Sequence, residues 1–231
     1  MQPLNYNQLC ELTERLPDFE LSYETISHKK VSDVYNVTMA IPYGKKAILW
    51  MTFYKNKNVC FLMEIGKNKK ITKGFILFDV PIELAYGTIV YGSLCEIPDV
   101  RKIFVIEDIL YMKGIPLSKQ PYQEKFQFLS RLLEEYDSLL GKNEELPVKM
   151  PVFWNIQSNE NTIPEKLKSS IPYSIHHLQH RSYKKIVPYI NYPWSKNIVP
   201  SISKHAPSIP NNLLFIPPSL PRFNFSKGQY K

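Results

Sequence analysis

Several residues have types and spacing that could do chemistry. Gly44, Lys45 and Lys46 stand directly before the apolar run 47–54, so two amines sit where a strand begins. A lysine of lowered pKa can act as a nucleophile, and a cation at a strand entry can pair with a phosphate. His176, His177 and His180 fall within five residues of one another, a donor type and density that zinc sites use. Successive side chains on a strand alternate faces, which puts His176 and His180 on one side and His177 on the other. Polar surface or nucleic-acid contact is therefore the first reading of these histidines, with zinc as the alternative. Asp108 interrupts the apolar run 102–112. A carboxylate there is expected to be buried and bonded to backbone or to a lysine, with a ligand role as the alternative. Lys184, Lys185, Tyr189, Tyr192 and Trp194 close the set, offering cations for phosphates and aromatic faces on which a base can stack.

The elements that must position these residues are legible from periodicity. Leu4, Leu9, Leu12 and Leu16 recur at roughly helical spacing before Pro17, which predicts one short amphipathic helix. From Val34 the chain changes to short β-branched and aromatic runs at 34–40, 47–54, 59–65, 75–80, 87–97 and 102–112, broken by turns such as 54–58 and 66–70. This pattern predicts a largely antiparallel sheet. Phe126, Leu129, Leu132, Leu133, Tyr136, Leu139 and Leu140 have the three-and-four spacing of a helix with one buried face, ending at Gly141. Residues 148–156 read as another strand, 162–170 as a short helix with Pro164 in its first turn, and 172–180 as a further strand. After Pro188 prolines recur every few residues, which excludes long regular elements and predicts an extended arm.

Composition bounds the function classes. The chain of 231 residues is 44% hydrophobic and 13% aromatic, enough for a real core. No run approaches the ~20 apolar residues of a membrane span, and the acidic opening does not read as a signal peptide, so a soluble, non-secreted protein is expected. Cys10, Cys60 and Cys95 are far apart and odd in number, which predicts buried thiols in a reducing compartment. The 8 glycines and 19 prolines, with abundant Asn, Lys, Ile and Tyr, would suit an AT-rich genome such as that of a large DNA virus or a protist. Charge is unevenly placed. From Lys166 onward there are ten basic residues and no acid, whereas the first 165 residues carry a net charge of −2, so the formal +8 resides in the last third.

The order of these strands resembles the nucleotidyltransferase domain of mRNA capping enzymes and, more closely, the cap-binding domain of snurportin. The family's Lys-x-Asp-Gly motif is matched by Ile41-Pro42-Tyr43-Gly44, with Ile41 at the nucleophile and Tyr43 at the aspartate. The run 87–97 is similar to the family's Thr-Leu-Leu-Asp-Gly-Glu strand: Thr88 and Gly92 match, while Tyr91 and Ser93 replace the acids. Residues 104–114 are similar to the Phe-Leu-x-Tyr-Asp segment and its later glycine, with Asp108 and Gly114 in register. In the strand resembling Asp-Gly-Leu-Ile-Phe, His176 and His177 replace Asp-Gly and Leu178 fits. For the motif whose lysines grip the α-phosphate, residues 184–189 are the nearest match.

The resemblance implies an α+β, antiparallel-sheet, nucleotidyltransferase-like (ATP-grasp-like) domain over 34–190. A helix and lead-in would precede it at 1–33, and a basic proline-rich arm would follow at 191–231. It also implies lost catalysis. Ile41 cannot be a nucleophile, and Tyr91, Ser93 and His176 cannot reproduce a hard oxygen-ligand metal site. Lys45 and Lys46 are read as solvated lysines beside a phosphate-sized gap, with a displaced nucleophile as the alternative. No cofactor and no metal are expected. The residues expected to touch RNA or a nucleotide are Tyr35, Lys45, Lys46, Lys184, Lys185, Tyr189 and Trp194. Tyr35 lies near a cap-stacking position of the resemblance. The aromatics 189–194 either stack on a base or anchor the arm.

Two functions follow as expectations. One is a non-catalytic domain binding RNA, including a capped 5′ end. The other is a structural subunit of a larger assembly, including a viral one, strapped to a neighbouring protein by residues 191–231. Neither a membrane nor sequence-specific DNA is expected as a partner, and the expected place is the cytoplasm, or the host cytoplasm or virion for a viral protein.

Overall fold

In the computed structural model the described residues are 1–21, 23–25, 31–97, 102–156 and 162–194, and they belong to one unit, Met1–Val199. The elements in chain order are β1 (Gln2–Pro3), α1 (Tyr6–Arg15), β2 (Tyr23–Thr25), β3 (Val37–Pro42), β4 (Lys45–Tyr54), β5 (Lys57–Ile65), β6 (Ile71–Asp79), α2 (Ile82–Ala85) and β7 (Tyr86–Glu96). Then follow β8 (Lys102–Met112), β9 (Ile115–Pro116), α3 (Tyr122–Glu135), β10 (Val148–Lys149), β11 (Phe153–Asn155), α4 (Glu165–Lys168), β12 (Ile175–Arg181) and β13 (Tyr189–Pro193). The architecture is α+β and mostly antiparallel.

The larger sheet runs β1-β6-β5-β4-β7-β8-β10, with β9 also paired to β8. Its central strands β4, β5, β7 and β8 are buried on both faces because both faces are covered. On β4, Ala47, Leu49 and Met51 join one core cluster with Leu84 of α2 and Leu129 and Leu132 of α3. Ile48 and Trp50 join the opposite cluster with Leu12 of α1. Continuous apolar runs, rather than strict alternation, are what such a two-sided burial requires. The β4–β5 hairpin closes at Lys55 and Asn56, whose φ values of 46° and 63° match a type I′ turn.

The smaller sheet runs β11-β3-β12-β13-β2. β3 belongs to it and β4 to the larger sheet, so Tyr43 and Gly44 are where the chain crosses between the two. That crossing needs a glycine: a Cβ on Gly44 would sit 2.5 Å from the Leu94 carbonyl oxygen.

Several elements differ from expectation. Residues 148–156 form two strands in different sheets, β10 paired with β8 and β11 paired with β3. Pro151, which has no N–H to donate, separates them. The helix α3 ends at Glu135, before Gly141, and the chain continues in turns in which Leu140 N–H and Leu139 N–H both donate to Tyr136 O. Tyr136 and Leu139 still pack on the same core. In the last part of the domain β13 pairs with β12 out to Pro193, three residues past the expected domain edge at 190. The rest of the expected arm, from 195, lies outside the described residues. Among the described residues no helix is long and apolar enough to cross a membrane. Cys60 and Cys95 are buried free thiols and Cys10 is half-buried.

Candidate functional site: a charged cavity between the two sheets

A cavity of about 100 Å³ lies between the sheets, lined by Lys46, Tyr91, Glu107 and Asp108 from one and by His177, Gln179, Arg181 and Tyr189 from the other, with Leu21 at its edge. Glu107 and Asp108 are neighbours in sequence, and on a regular strand they would point to opposite faces. Here the β7–β8 register shifts: Tyr91 pairs with Asp108 and Gly92 with Ile106, leaving Glu107 as an extra residue. This bulge turns both carboxylates toward the cavity. Its imprint is visible in the core, where Ile106 and Ile109, three apart, share the same cluster. Opposite the bulge, Gly92 lets the strands approach: a Cβ there would meet Val105 O at 2.2 Å.

Each carboxylate has its own cation. Lys46 Nζ lies 2.5 Å from Glu107 Oε1 and donates to Ser93 Oγ at 2.9 Å, and Ser93 Oγ donates to Glu107 Oε1 at 2.5 Å. Asp108 Oδ1 accepts from Ile109 N–H at 2.9 Å, and its Oδ2 accepts from Lys125 Nζ at 3.1 Å and from Tyr189 OH at 3.0 Å. The Lys125–Asp108 pair is buried on both sides, each side chain being 9% exposed. Burial first, and then the Asp108 charge, push the Tyr189 phenol well above its ordinary pKa, so it stays a donor.

The third cation forms no salt bridge among the described residues. Arg181 is 1% exposed, with its guanidinium carbon 3.9 Å from the Tyr189 ring centre and 4.6 Å from that of Tyr122. Its Nε donates to Gln179 Oε1 at 2.9 Å and Nη2 donates to the same oxygen, while among the described residues Nη1 has no hydrogen-bond partner. Gln179 in turn donates to Asn191 Oδ1 at 2.8 Å.

His177 and His180 lie on opposite faces of β12, as alternation predicts, and the register shift between Ile175 and His177 falls at His176. His177 lines the cavity together with Gln179 and Arg181, and His176, exposed, lies with its Nδ1 2.8 Å from His177 Nδ1. His180 faces away and bonds Thr38 Oγ1 through Nδ1 at 2.8 Å. Burial, reinforced by Lys46, holds His177 down to about 3, and burial holds His180 down to about 4, so both are neutral at pH 7. Among the described residues no three His, Cys, Asp or Glu side chains are placed to hold a metal ion.

Of the residues expected to touch RNA or a nucleotide, Lys46 and Tyr189 meet in this cavity, together with Asp108 and His177. Lys46 is not the solvated lysine expected: it is tied into an ion pair, whereas Lys45, 67% exposed, bonds Glu64 at 3.4 Å. Lys184 and Lys185 are exposed and line a separate open hollow with Ser32, Asp33, Val34, Asn36 and Ser182. Tyr35 is half-buried and donates its OH to Pro188 O at 3.0 Å. Trp194 packs on the cluster around Leu178, with Tyr192. Asp108 is the buried carboxylate bonded to backbone and lysine that its setting implied. Ile41 is fully buried on β3, paired with His177. Glu107, Lys125, Gln179 and Arg181 were not singled out from the sequence. The signal for Lys125 was present, because it lies on the apolar side of a helix whose other members are core residues.

No family model matches the chain, and no curated protein sequence matches it. Among solved structures, the ligase domain from M. tuberculosis LigD is similar with a TM-score of 0.44 and 10% sequence identity, covering 75% of this chain and 60% of that one.

Proposed function

We propose that this chain is a non-catalytic domain of nucleotidyltransferase-like arrangement that binds RNA, including a capped 5′ end. One observation carries the reading: positions that the capping-enzyme resemblance assigns to separate motifs, at Tyr91, Asp108, His177 and Tyr189, meet around one cavity. At the nucleophile position stands Ile41, a buried hydrocarbon, and the nearby Lys46 amine is held by Glu107. Among the described residues, the amines at this cleft are held in ion pairs, which disfavours attack on a phosphate. The exposed Lys184 and Lys185 and the acid-free stretch from Lys166 supply counter-charge for an RNA backbone. Fluorescence anisotropy with capped, triphosphate and hydroxyl-ended RNA, repeated across a salt series, tests this. The expected result is binding that weakens linearly in log[salt], at about −0.7 per phosphate contact. Affinity no tighter than about 1 µM at low salt, the level of non-specific binding, overturns it.

A second reading, a structural subunit strapped to a neighbour through residues 191–231, is favoured by the cavity itself. Its volume of about 100 Å³ is already bordered by two internal ion pairs, and ligand pockets usually span about 300–1,000 Å³. Limited proteolysis separates the two readings. A core left folded after cleavage between 184 and 204, with no change on adding RNA, favours the structural role.

A further inference from the structure

The unpartnered guanidinium in the cavity points to a ligand. Buried cationic N–H groups are almost always paired, yet among the described residues Arg181 Nη1 has no hydrogen-bond partner, and its Nε and Nη2 donate to the neutral amide oxygen of Gln179. The charges around the cavity do not cancel: Lys46 is matched by Glu107 and Lys125 by Asp108, which leaves Arg181 in excess, beside a neutral His177. A planar guanidinium fork with a free N–H fits the oxygens of a single oxyanion, and the cavity's volume of about 100 Å³ admits one small group rather than a whole nucleotide. Two carboxylates, Glu107 and Asp108, also line the cavity. They repel an anion that only accepts hydrogen bonds, such as sulfate, but can accept the P–OH proton of hydrogen phosphate.

We infer that this cavity binds one protonated phosphate group, anchored by Arg181 and selected against sulfate by Glu107 and Asp108. The group is either free inorganic phosphate or the terminal phosphate of a monoester, and the inference stands or falls separately from RNA affinity.

The test is the thermal unfolding temperature of the full chain, titrated with sodium phosphate, sodium sulfate or sodium chloride at constant ionic strength. A ligand of the native state raises Tm in a saturable way. The expected result is such a rise with phosphate, with sulfate binding at least about tenfold more weakly, the scale of one mismatched charged hydrogen bond. Guanosine 5′-monophosphate forms a further arm: tighter binding than inorganic phosphate assigns the site to a monoester, and equal or weaker binding assigns it to the free anion. Arg181→Gln should abolish the rise, and Lys67→Gln, at an exposed turn lysine far along the chain, should keep it. If Arg181→Gln does not fold, Arg181→Lys keeps the charge but not the fork and should weaken phosphate by about tenfold. No phosphate effect beyond chloride, equal effects of sulfate and phosphate, or an undiminished effect in the Arg181 variants overturns the inference.

Discussion

The cavity between the sheets and the hollow beside Lys184 are both basic, yet they use their cations in opposite ways. In the cavity Lys46 and Lys125 are committed to Glu107 and Asp108 inside the protein. In the hollow Lys184 and Lys185 are exposed and, among the described residues, form no ion pair. A lysine thus means different things in the two places: removing one from the cavity strands a buried carboxylate, whereas removing one from the hollow leaves nothing unpaired. Arg181 stands between the cases, as deeply buried as the first pair but, among the described residues, without a salt bridge.

The largest effect expected from this contrast is at Asp108. Asp108→Ala leaves the 9%-exposed Lys125 ammonium without its partner, and breaking a buried pair from one side costs about 3–5 kcal/mol. Urea unfolding measures it, and a loss under 1 kcal/mol would mean that water reaches the pair. Lys46→Met should cost less, about 1–3 kcal/mol, because the Lys46 side chain is 34% exposed and water can partly replace it at Glu107.

Acid should act on the same region. The unfolded chain binds protons on His177 and His180 near pH 6.5, while the folded chain refuses them until about 3 and 4 respectively, chiefly because the rings are buried. Stability from these groups is therefore fully present above about pH 6.5 and is lost as pH falls from there toward 4. Comparing denaturant midpoints at pH 7 and pH 5 checks the direction. The drop should shrink in the His177→Gln, His180→Gln double variant, and an unchanged drop would place the acid sensitivity elsewhere.

The smallest effects on stability belong to the outer lysines. Lys45→Met, next in sequence to Lys46 but 67% exposed, should change stability by about 0–1 kcal/mol. Lys184→Gln with Lys185→Gln should stay within about 0.5 kcal/mol, while lowering the magnitude of the RNA salt slope by about 1–2 if those lysines contact phosphates. A larger stability loss in the hollow than in the cavity would reverse the comparison.

Much of the scaffold was legible in the chain, because two-sided burial writes itself as unbroken apolar runs at 47–54, 59–65 and 102–112. The site was less so. Alternation along residues 102–112 assigns Glu107 and Asp108 to opposite faces, and the bulge that unites them is decided by how β7 pairs with β8, which no local pattern carries. The end of α3 was hidden for a similar reason: tight turns at 136–142 keep Tyr136 and Leu139 at the three-residue spacing of a helix, so the periodicity runs past the last helical residue. Arg181 reads as one more basic residue in an acid-free stretch, and only the packing of Tyr122 and Tyr189 around it makes it buried. Residues 148–156 read as one strand, and the break at Pro151 between β10 and β11 went unread because the apolar residues on both sides continue one pattern.

The cavity's amines Lys46 and Lys125 are committed to its own carboxylates, and on the function proposed above they do no phosphoryl chemistry. Incubating the chain with α-labelled GTP or ATP and magnesium or manganese, followed by peptide mass spectrometry, tests this most directly. The account predicts no covalent nucleotide on any lysine. A nucleotidyl adduct on Lys46, lost in Lys46→Arg, would contradict it.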